Sequence, residues 1–289
     1  MNRRIPAALA AIATAAIVLA GCGGGSQPAL SDPKEILTES AKTLPDAKTV
    51  HFQLDLEGQL PFDLSGMLGG GDASPAPSAS SPSLDIGGTT VSGDVDIAAG
   101  KGHVTFAIPA LLNTSGDLIA ADDKLYVKVS LLGDQYHVLD SSSLAGMLPG
   151  DLPIPSFSPE PSASASPDAS AMIDELQQAL DGLTTPPAKL ADETCGDTTC
   201  YHVQIKLDAS DEGAIASLAP DLQGTGTLDV YVRQNDRRPS RLILTADGGD
   251  QGTLTATLTL SDWDKSVDIQ APPADQITDQ PISLPGLTG

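Results

Sequence analysis

The fold of this chain is decided by one alternating stretch, Val50-His51-Phe52-Gln53-Leu54-Asp55-Leu56-Glu57. Apolar and polar side chains exchange at every position, and this period of two is typical of a β-strand with one buried face and one wet face. The same period returns many times along the chain, with turn residues between its occurrences. The sequence therefore predicts a sheet of antiparallel strands and gives no sign of an ordered parallel α/β repeat.

Further strands are predicted wherever apolar residues recur at every second position, at 91–97, 104–108, 125–129, 136–138, 203–207, 228–232, 242–246, 254–260 and 267–269. The run Asp247-Gly248-Gly249-Asp250 is a hairpin signal between two of them. A sheet of about ten strands must twist and curl, and a sheet that curls around covering helices becomes a half-open barrel with an apolar interior.

Three helices are predicted to accompany the sheet. The first spans 33–44, where Asp32 offers a cap and Pro33 fits the first turn. Another spans 171–183, with its apolar residues on one face, and a short one covers 141–147. The predicted fold class is therefore α+β: a strongly curved antiparallel half-barrel with helices on one side and an apolar cavity.

The N-terminus has the pattern of an export signal. Arg3 and Arg4 precede an uncharged run that ends in Leu19-Ala20-Gly21-Cys22, which resembles the bacterial lipobox. We therefore expect a signal peptide at 1–21, an acylated Cys22, a flexible tether at 22–30, and a position on the extracytoplasmic face of the cell membrane. The alternative is a secreted protein in which Cys22 is a spare thiol.

Charge and composition limit the remaining possibilities. The chain has 38 acidic and 15 basic residues, a formal net charge of -23, so nucleic acid and direct docking on an acidic bilayer are poor candidates. We expect one domain at 31–271, interrupted near 69–83 and 156–170 by disordered Ser/Pro-rich insertions that could carry O-glycans. A Pro-rich tail follows at 272–289.

No catalytic motif accompanies the histidines or the acidic pairs. The four histidines, His51, His103, His137 and His202, are predicted to be solvated on strands. The pairs Asp94/Asp96 and Asp262/Asp264 each share a strand face, which would suit calcium, but solubility explains them as well. We expect no enzyme, no cofactor and no metal.

Cys195 and Cys200 form an even pair in an exported chain, which predicts a structural disulfide. Closing so short a loop contributes about 2 kcal/mol in the chain-entropy model. A redox pair and a metal site with His202 are the alternatives. The spacing is not that of a redox motif, however, and three ligands are too few for structural zinc.

Both ends of the predicted domain resemble the LppX/LprG-type lipoproteins of actinobacteria. Thr38 to Phe52 is similar to the opening helix and first strand of that family, and Leu258 to Ile269 with Ala271-Pro272-Pro273 is similar to its closing strand and Ser-Asp-Trp turn. The lipobox, the His-Phe strand and this closing segment occur in the family's order. The Ser/Pro-rich insertions and the Cys195/Cys200 loop depart from the pattern.

The resemblance implies a monomeric, membrane-anchored carrier that binds acylated lipids or glycolipids in an apolar cavity and moves them across the envelope, with a transporter as a partner. The alternative is an anchored protein-interaction module with a filled core. The residues expected to line the cavity are Phe52, Leu54, Leu56, Val104, Phe106, Ile108, Val127, Val129, Val230, Val232, Leu244 and Leu258.

Overall fold

A computed structural model describes residues 28–61, 83–139, 169–207, 225–249, 252–278 and 280. Within these residues, a single 14-stranded sheet carries two α-helices on one face. The signal peptide, Cys22, the helix predicted at 141–147 and nearly all of the two insertions lie outside the described residues.

The helices are α1 (Pro33–Ala41) and α2 (Ala169–Gly182). The strands are β1 (Thr49–Pro61), β2 (Ser83–Asp85), β3 (Thr89–Asp96), β4 (Lys101–Ile108), β5 (Thr114–Ala121), β6 (Lys124–Val129), β7 (Tyr136–Leu139), β8 (Ala188–Lys189), β9 (Glu193–Cys195), β10 (Thr198–Leu207), β11 (Thr225–Arg233), β12 (Pro239–Asp247), β13 (Thr253–Ser261) and β14 (Ile277–Thr278).

The first strand lies at the centre of the sheet and joins two meanders. β1 pairs antiparallel with β3 on one side, from which β4, β5, β6 and β7 follow in order. On its other side β1 pairs antiparallel with β13, from which β12, β11 and β10 follow outward. The sheet is curved and does not close on itself. The predicted α+β half-barrel is confirmed.

The strand register sorts the side chains onto two different faces. Residues directly opposite each other across a ladder share a face. One row of such partners runs through Val203, Val230, Leu242, Leu258, Leu54, Val91, Phe106, Gly116 and Val129. A row on the other face runs through His202, Tyr231, Arg241, Thr259, Gln53, Ser92, Thr105, Asp117 and Lys128.

The two helices pack on the apolar face, which we call the helix face; the opposite one is the polar face. Ile36 and Leu37 of α1 and Leu180 of α2 form one buried cluster with Val203 and Val230 of the sheet. The side chain of Asp32 caps α1 by accepting hydrogen bonds from the backbone N–H groups of residues 34 and 35. The main core therefore lies between the helices and strands β10–β12.

Helix α1 ends three residues earlier than predicted, at Ala41. The hydroxyl of Thr43 donates to the carbonyl of Ser40 at 2.7 Å, and the N–H of Thr43 bonds the same carbonyl at 3.0 Å. The Ser40 carbonyl is therefore occupied by this turn and does not serve as the acceptor that the next turn of an α-helix would require.

The prediction of a strand at 267–269 is wrong, although Ile269 is buried as expected. Val267, Ile269 and Ala271 instead cover the polar face of β5–β7, where they pack on Ile119 and Tyr126. Pairing resumes only after Pro273, when β14 joins β7 in parallel. The alternating pattern correctly indicated that Ile269 is buried. It did not indicate that Ile269 packs on the face of a sheet instead of lying in a strand paired with its edge.

Strand β5 was not predicted, because its apolar residues are consecutive rather than alternating. Leu118 lies on the helix face, and Ile119 lies under the C-terminal segment on the other face. Apolar side chains stand on both faces of this strand, so the period of two disappears.

Neither described helix has the length and apolar character that crossing a membrane would require.

Candidate lipid-binding face

All of the residues predicted to line a cavity lie on the helix face. The ladders place them in adjacent rows, because Phe52 is opposite Leu260 and Leu56 is opposite Ala256, which in turn is opposite Leu244. The same face also includes apolar residues that the prediction left out: Val91, Leu118, Leu242, Leu254 and Leu260. Leu118 was missed together with its strand.

The helix face has a covered part and an uncovered part. Val230 and Val232 are buried beneath α1 and α2 and belong to the packed core. Leu54, Phe106 and Val129 are only half-buried, and neither described core cluster includes them. The part formed by β1, β3–β6 and β13 is the candidate lipid-binding face.

Glycine shapes the surface of this candidate lipid-binding face. Gly116 of β5 stands opposite Phe106, and a Cβ atom at Gly116 would overlap the Phe106 ring. The ring therefore lies flat over its neighbour strand instead of standing upright. Gly93 lies opposite Phe52 and Val104, and a Cβ atom there would overlap the backbone carbonyl of His103. A side chain larger than that of glycine would not fit at either position without a shift of its neighbours.

A second concavity, a cleft of about 330 Å³, lies between the two helices. Its walls carry Lys34, Glu35, Glu39, Lys42 and Asp181, with Leu180 and Thr38 among the remaining lining residues. Lys34 Nζ and Asp181 Oδ1 are 2.5 Å apart across it. Charged walls make this cleft a different kind of site from the apolar cavity that was predicted.

The polar face carries three histidine–carboxylate pairs that bridge neighbouring strands. His51 Nδ1 lies 2.9 Å from Asp94, and His103 Nε2 lies 2.6 Å from Asp117. His202 lies between two carboxylates, at 2.8 Å from Asp229 and 3.2 Å from Glu193. These contacts are cross-strand pairs that support the sheet.

The prediction that all four histidines are solvated is wrong for two of them. His137 and His202 are buried, whereas His51 and His103 are half-exposed. Burial is tolerated because each buried ring has a hydrogen-bond partner: His202 has its two carboxylates, and His137 Nδ1 lies 3.0 Å from the carbonyl oxygen of Gln280. His202 also stacks on Tyr231, with ring centroids 4.4 Å apart.

Lys128 ends this row of pairs at the β6–β7 side of the sheet. Burial lowers the pKa of Lys128, but the Tyr136 hydroxyl at 3.3 Å and the Asp117 carboxylate at 3.5 Å outweigh it, so the pKa is raised overall. The ammonium group therefore stays charged and donates to the Tyr136 hydroxyl.

Cys195 and Cys200 are joined by a disulfide, with their Cα atoms 5.8 Å apart. The bridge closes the β9–β10 hairpin, and Cys200 is fully buried. By fixing β9 at the edge, it holds Glu193 within reach of His202 and Arg241. Within the described parts of the chain no three potential ligands cluster as a metal site would require.

Asp262 and Asp264 are engaged in ordinary ion pairs. The hydrogen bond from Lys265 lowers the pKa of Asp262, and the backbone N–H of Lys48 and the Arg238 guanidinium lower the pKa of Asp264. Asp264 accepts from Lys48 N at 2.9 Å and from Arg238 at 2.5 Å, which ties the C-terminal turn to the start of β1.

The last residues of the predicted tether are docked on the sheet. The N–H of Leu30 donates to the Tyr201 hydroxyl at 2.9 Å, and Arg237 donates to the same hydroxyl at 2.8 Å. Arg237 also donates to the carbonyl of Pro28. No sequence pattern pointed to Arg237, because a buried arginine in a turn has no periodic signal.

Comparison with known proteins finds a partial sequence similarity to mycobacterial lipoproteins. The lipoarabinomannan carrier protein LprG of Mycobacterium tuberculosis H37Rv is 32% identical over 107 residues, which cover 36% of this chain and 45% of LprG. LprG of Mycobacterium bovis BCG Pasteur matches equally. The chain is related to the LppX/LprG-type lipoproteins. The match spans less than half the length of these LprG relatives, and no family model matches the chain.

Two solved structures of LppX/LprG-type lipoproteins resemble the chain over most of its length. LppX of Mycobacterium tuberculosis is 13% identical and covers 82% of this chain and 98% of its own, with a TM-score of 0.47. LprF of Mycobacterium bovis is 16% identical and covers 83% and 96%, with a TM-score of 0.45.

Proposed function

We propose that this protein is an envelope lipoprotein that binds the acyl chains of lipids or glycolipids on the candidate lipid-binding face and carries them across the cell envelope. The observation that carries the proposal is a continuous apolar surface spanning β13, β1 and β3–β6, outside the helix-covered core. The relatives named as lipoarabinomannan carriers support it.

Binding would rest on burial of hydrocarbon rather than on any reacting group. Each methylene group removed from water contributes about 0.8 kcal/mol, so an acyl chain lying along several strands gains affinity from length alone. The half-buried Leu54, Phe106 and Leu258 offer such a surface, and the Phe106 ring lies over Gly116 as part of it. The polar face keeps its carboxylates and histidines on the opposite side.

The proposal includes anchoring through acylated Cys22. Residues 22–27 separate the docked Pro28 from the proposed acyl chains, and they span at most about 20 Å when extended. The domain would therefore stay close to the membrane that holds the anchor. A transporter partner and a monomeric state belong to the same proposal.

A pair of adjacent substitutions on β13 tests lipid binding. Leu258 lies on the helix face and Thr257 on the polar face, opposite Asp55. Leu258→Lys should remove most of the lipid that co-purifies with the full-length protein from an actinobacterial host, because the new charge lies among the alkyl chains. Thr257→Lys, the matched control, should retain it. The measurement is lipid extraction with mass spectrometry, normalised to protein.

Two outcomes would contradict the carrier. Equal lipid content in the two variants and the parent would mean that the lipid binds elsewhere. A parent protein that carries no lipid and takes up no added acylated glycolipid would favour the anchored interaction module with a filled core.

A further inference from the structure

Three leucines are exposed on two neighbouring hairpin loops. The loop 109–113 joins β4 to β5, and the loop 130–135 joins β6 to β7. Leu112 is 80% exposed, Leu111 47% and Leu131 49%. We call these three side chains the leucine tip. Scattered exposed leucines are common, but three on adjacent loops form a patch that needs an explanation.

Hydrogen bonds continue the β5–β6 pairing to the first residue of the second loop. β4 and β6 run in the same direction in the sheet, so their loops leave from the same end. Ser130 N donates to the carbonyl of Ser115 at 2.8 Å, and Ser115 N donates to the hydroxyl of Ser130 at 3.0 Å. The two loops of the leucine tip therefore lie side by side at one end of the sheet.

Leu112 is held outward in a conformation that leucine disfavours. Its φ is 54° and that of Asn113 is 53°, both in the left-handed region. The turn is fixed by hydrogen bonds from Asn113 N to Pro109 O at 3.1 Å and from Thr114 N to Leu111 O at 2.9 Å. A strained backbone that displays an apolar side chain to water is typical of functional sites.

The tip is a neutral island on a strongly acidic protein. Residues 104–116 and 129–133 contain no charged side chain, and Asp134 is the one charged residue in the two loops, whereas the whole chain has a formal net charge of -23. Such a patch does not attract a basic protein surface, and the absence of charge favours contact with hydrocarbon.

The apolar surface continues from the lipid-binding face into the tip. Ile108 and Val129 are the last residues of β4 and β6, and both lie on the helix face immediately before the two loops. An alkyl chain leaving the face at this end would pass directly onto the leucines.

The docked N-terminal segment lies at the other end of the strands. Tyr201, which binds Leu30 and Arg237, is paired with Val232 beside the turn into β12, near the level of the first residues of β1. Ile108 lies at the level of Leu56, through Thr89. About six residues of strand, or about 20 Å, separate the two levels.

We propose that the leucine tip inserts into the surface of a lipid bilayer other than the one that holds the acyl anchor, at the end where lipid leaves the binding face. This inference rests on the proposed carrier function and on the anchor at Cys22. It assigns the two ends of the sheet to two membranes: the docked segment faces the donor and the leucine tip faces the acceptor.

Tryptophan reporters at the two ends of the sheet test the assignment. Leu112→Trp places the reporter in the tip, and Ile97→Trp places a matched control in the β3–β4 turn at the other end, where Ile97 is 49% exposed. The full-length acylated proteins are reconstituted in donor vesicles through their own anchor. Acceptor vesicles containing brominated lipids are then added, and the signal of the parent, from Trp263, is subtracted.

The reporter at 112 should shift to shorter wavelength and be quenched by acceptor lipids, while the reporter at 97 should not respond. The triple variant Leu111→Ser, Leu112→Ser, Leu131→Ser should capture acceptor vesicles at least about tenfold more weakly than Ile97→Ser, because it loses the buried area of three leucines.

Several results would overturn the inference. Absence of quenching at 112, or quenching only when the brominated lipids are in the donor vesicles, would exclude an acceptor membrane. A blue shift that depends on protein concentration and not on acceptor vesicles would assign the tip to a second copy of the chain. If the full-length protein does not float with the donor vesicles before acceptor vesicles are added, that result would instead contradict the proposed anchor at Cys22.

Discussion

At the scale of single residues, Arg237 shows how the N-terminal segment is tied to the domain. Its side chain is only 4% exposed, and its guanidinium lies 5.1 Å from the centre of the Tyr201 ring. The Tyr201 hydroxyl accepts from both Arg237 and the backbone of Leu30. One hydroxyl group thus connects the segment that follows the proposed anchor to the centre of the core.

Removing this hydroxyl should loosen the segment. Tyr201→Phe leaves two donors without their acceptor, and unsatisfied buried donors cost about 1–3 kcal/mol each, less for Leu30 because it is half-buried. We expect a lower free energy of unfolding in urea and faster proteolysis ahead of α1. Tyr126→Phe, at the other side of the sheet, is the control. Unchanged proteolysis in Tyr201→Phe would show that the docking does not depend on this hydroxyl.

At the scale of elements, the face of the sheet depends on how Phe106 of β4 lies across β5. Gly116→Ala would push a methyl group into the Phe106 ring, and overpacking of this kind costs about 1–3 kcal/mol. Gly102→Ala on β4 is the matched control, since the nearest atom to its new methyl group would be 3.9 Å away. Urea unfolding should show a loss for Gly116→Ala and little change for Gly102→Ala. Equal stability of the two would mean that the ring moves freely.

The elements also show what the sequence could and could not predict. Strands with one apolar face, such as β1 and β13, were predicted because alternation survives wherever the other face is wet. β5 was missed because both of its faces carry apolar side chains. Ile269 was placed in a strand because a buried residue in an extended segment gives the same signal. The helix face could be predicted from the alternation, because all of the residues expected to line a cavity lie on it. Which part of that face the helices cover could not, and Val230 and Val232 lie in the covered core. The pairing of His202 with two carboxylates could not be predicted from the sequence, because it depends on which strands become neighbours in the sheet.

At the scale of the whole molecule, two electrostatic effects of opposite sign should set the dependence of stability on pH. A formal net charge of -23 destabilises the compact state by repulsion, and protonation of exposed carboxylates relieves it as the pH falls from 7 to about 5. The opposite effect comes from carboxyl groups whose pKa is lowered in the folded protein. Burial raises the pKa of Asp236, but hydrogen bonds from Arg233 and from the backbone of Arg238 outweigh burial and lower the pKa below its ordinary value. The pKa values of Asp262 and Asp264 are lowered as well.

A carboxyl group whose pKa is lower in the folded state stabilises the protein above its unfolded pKa and loses that contribution as the pH falls through the folded pKa. We therefore expect the free energy of unfolding in urea to rise from pH 7 to a maximum near pH 5, and to fall below about pH 4. Salt at 1 M, where the screening length is about 3 Å, should flatten the rise and leave most of the fall, because the Arg233–Asp236 pair is in direct contact. Asp236→Asn should reduce the fall without changing the rise. Stability that decreases steadily from pH 7 to pH 4 at low salt would show that repulsion on the acidic surface is not the dominant effect.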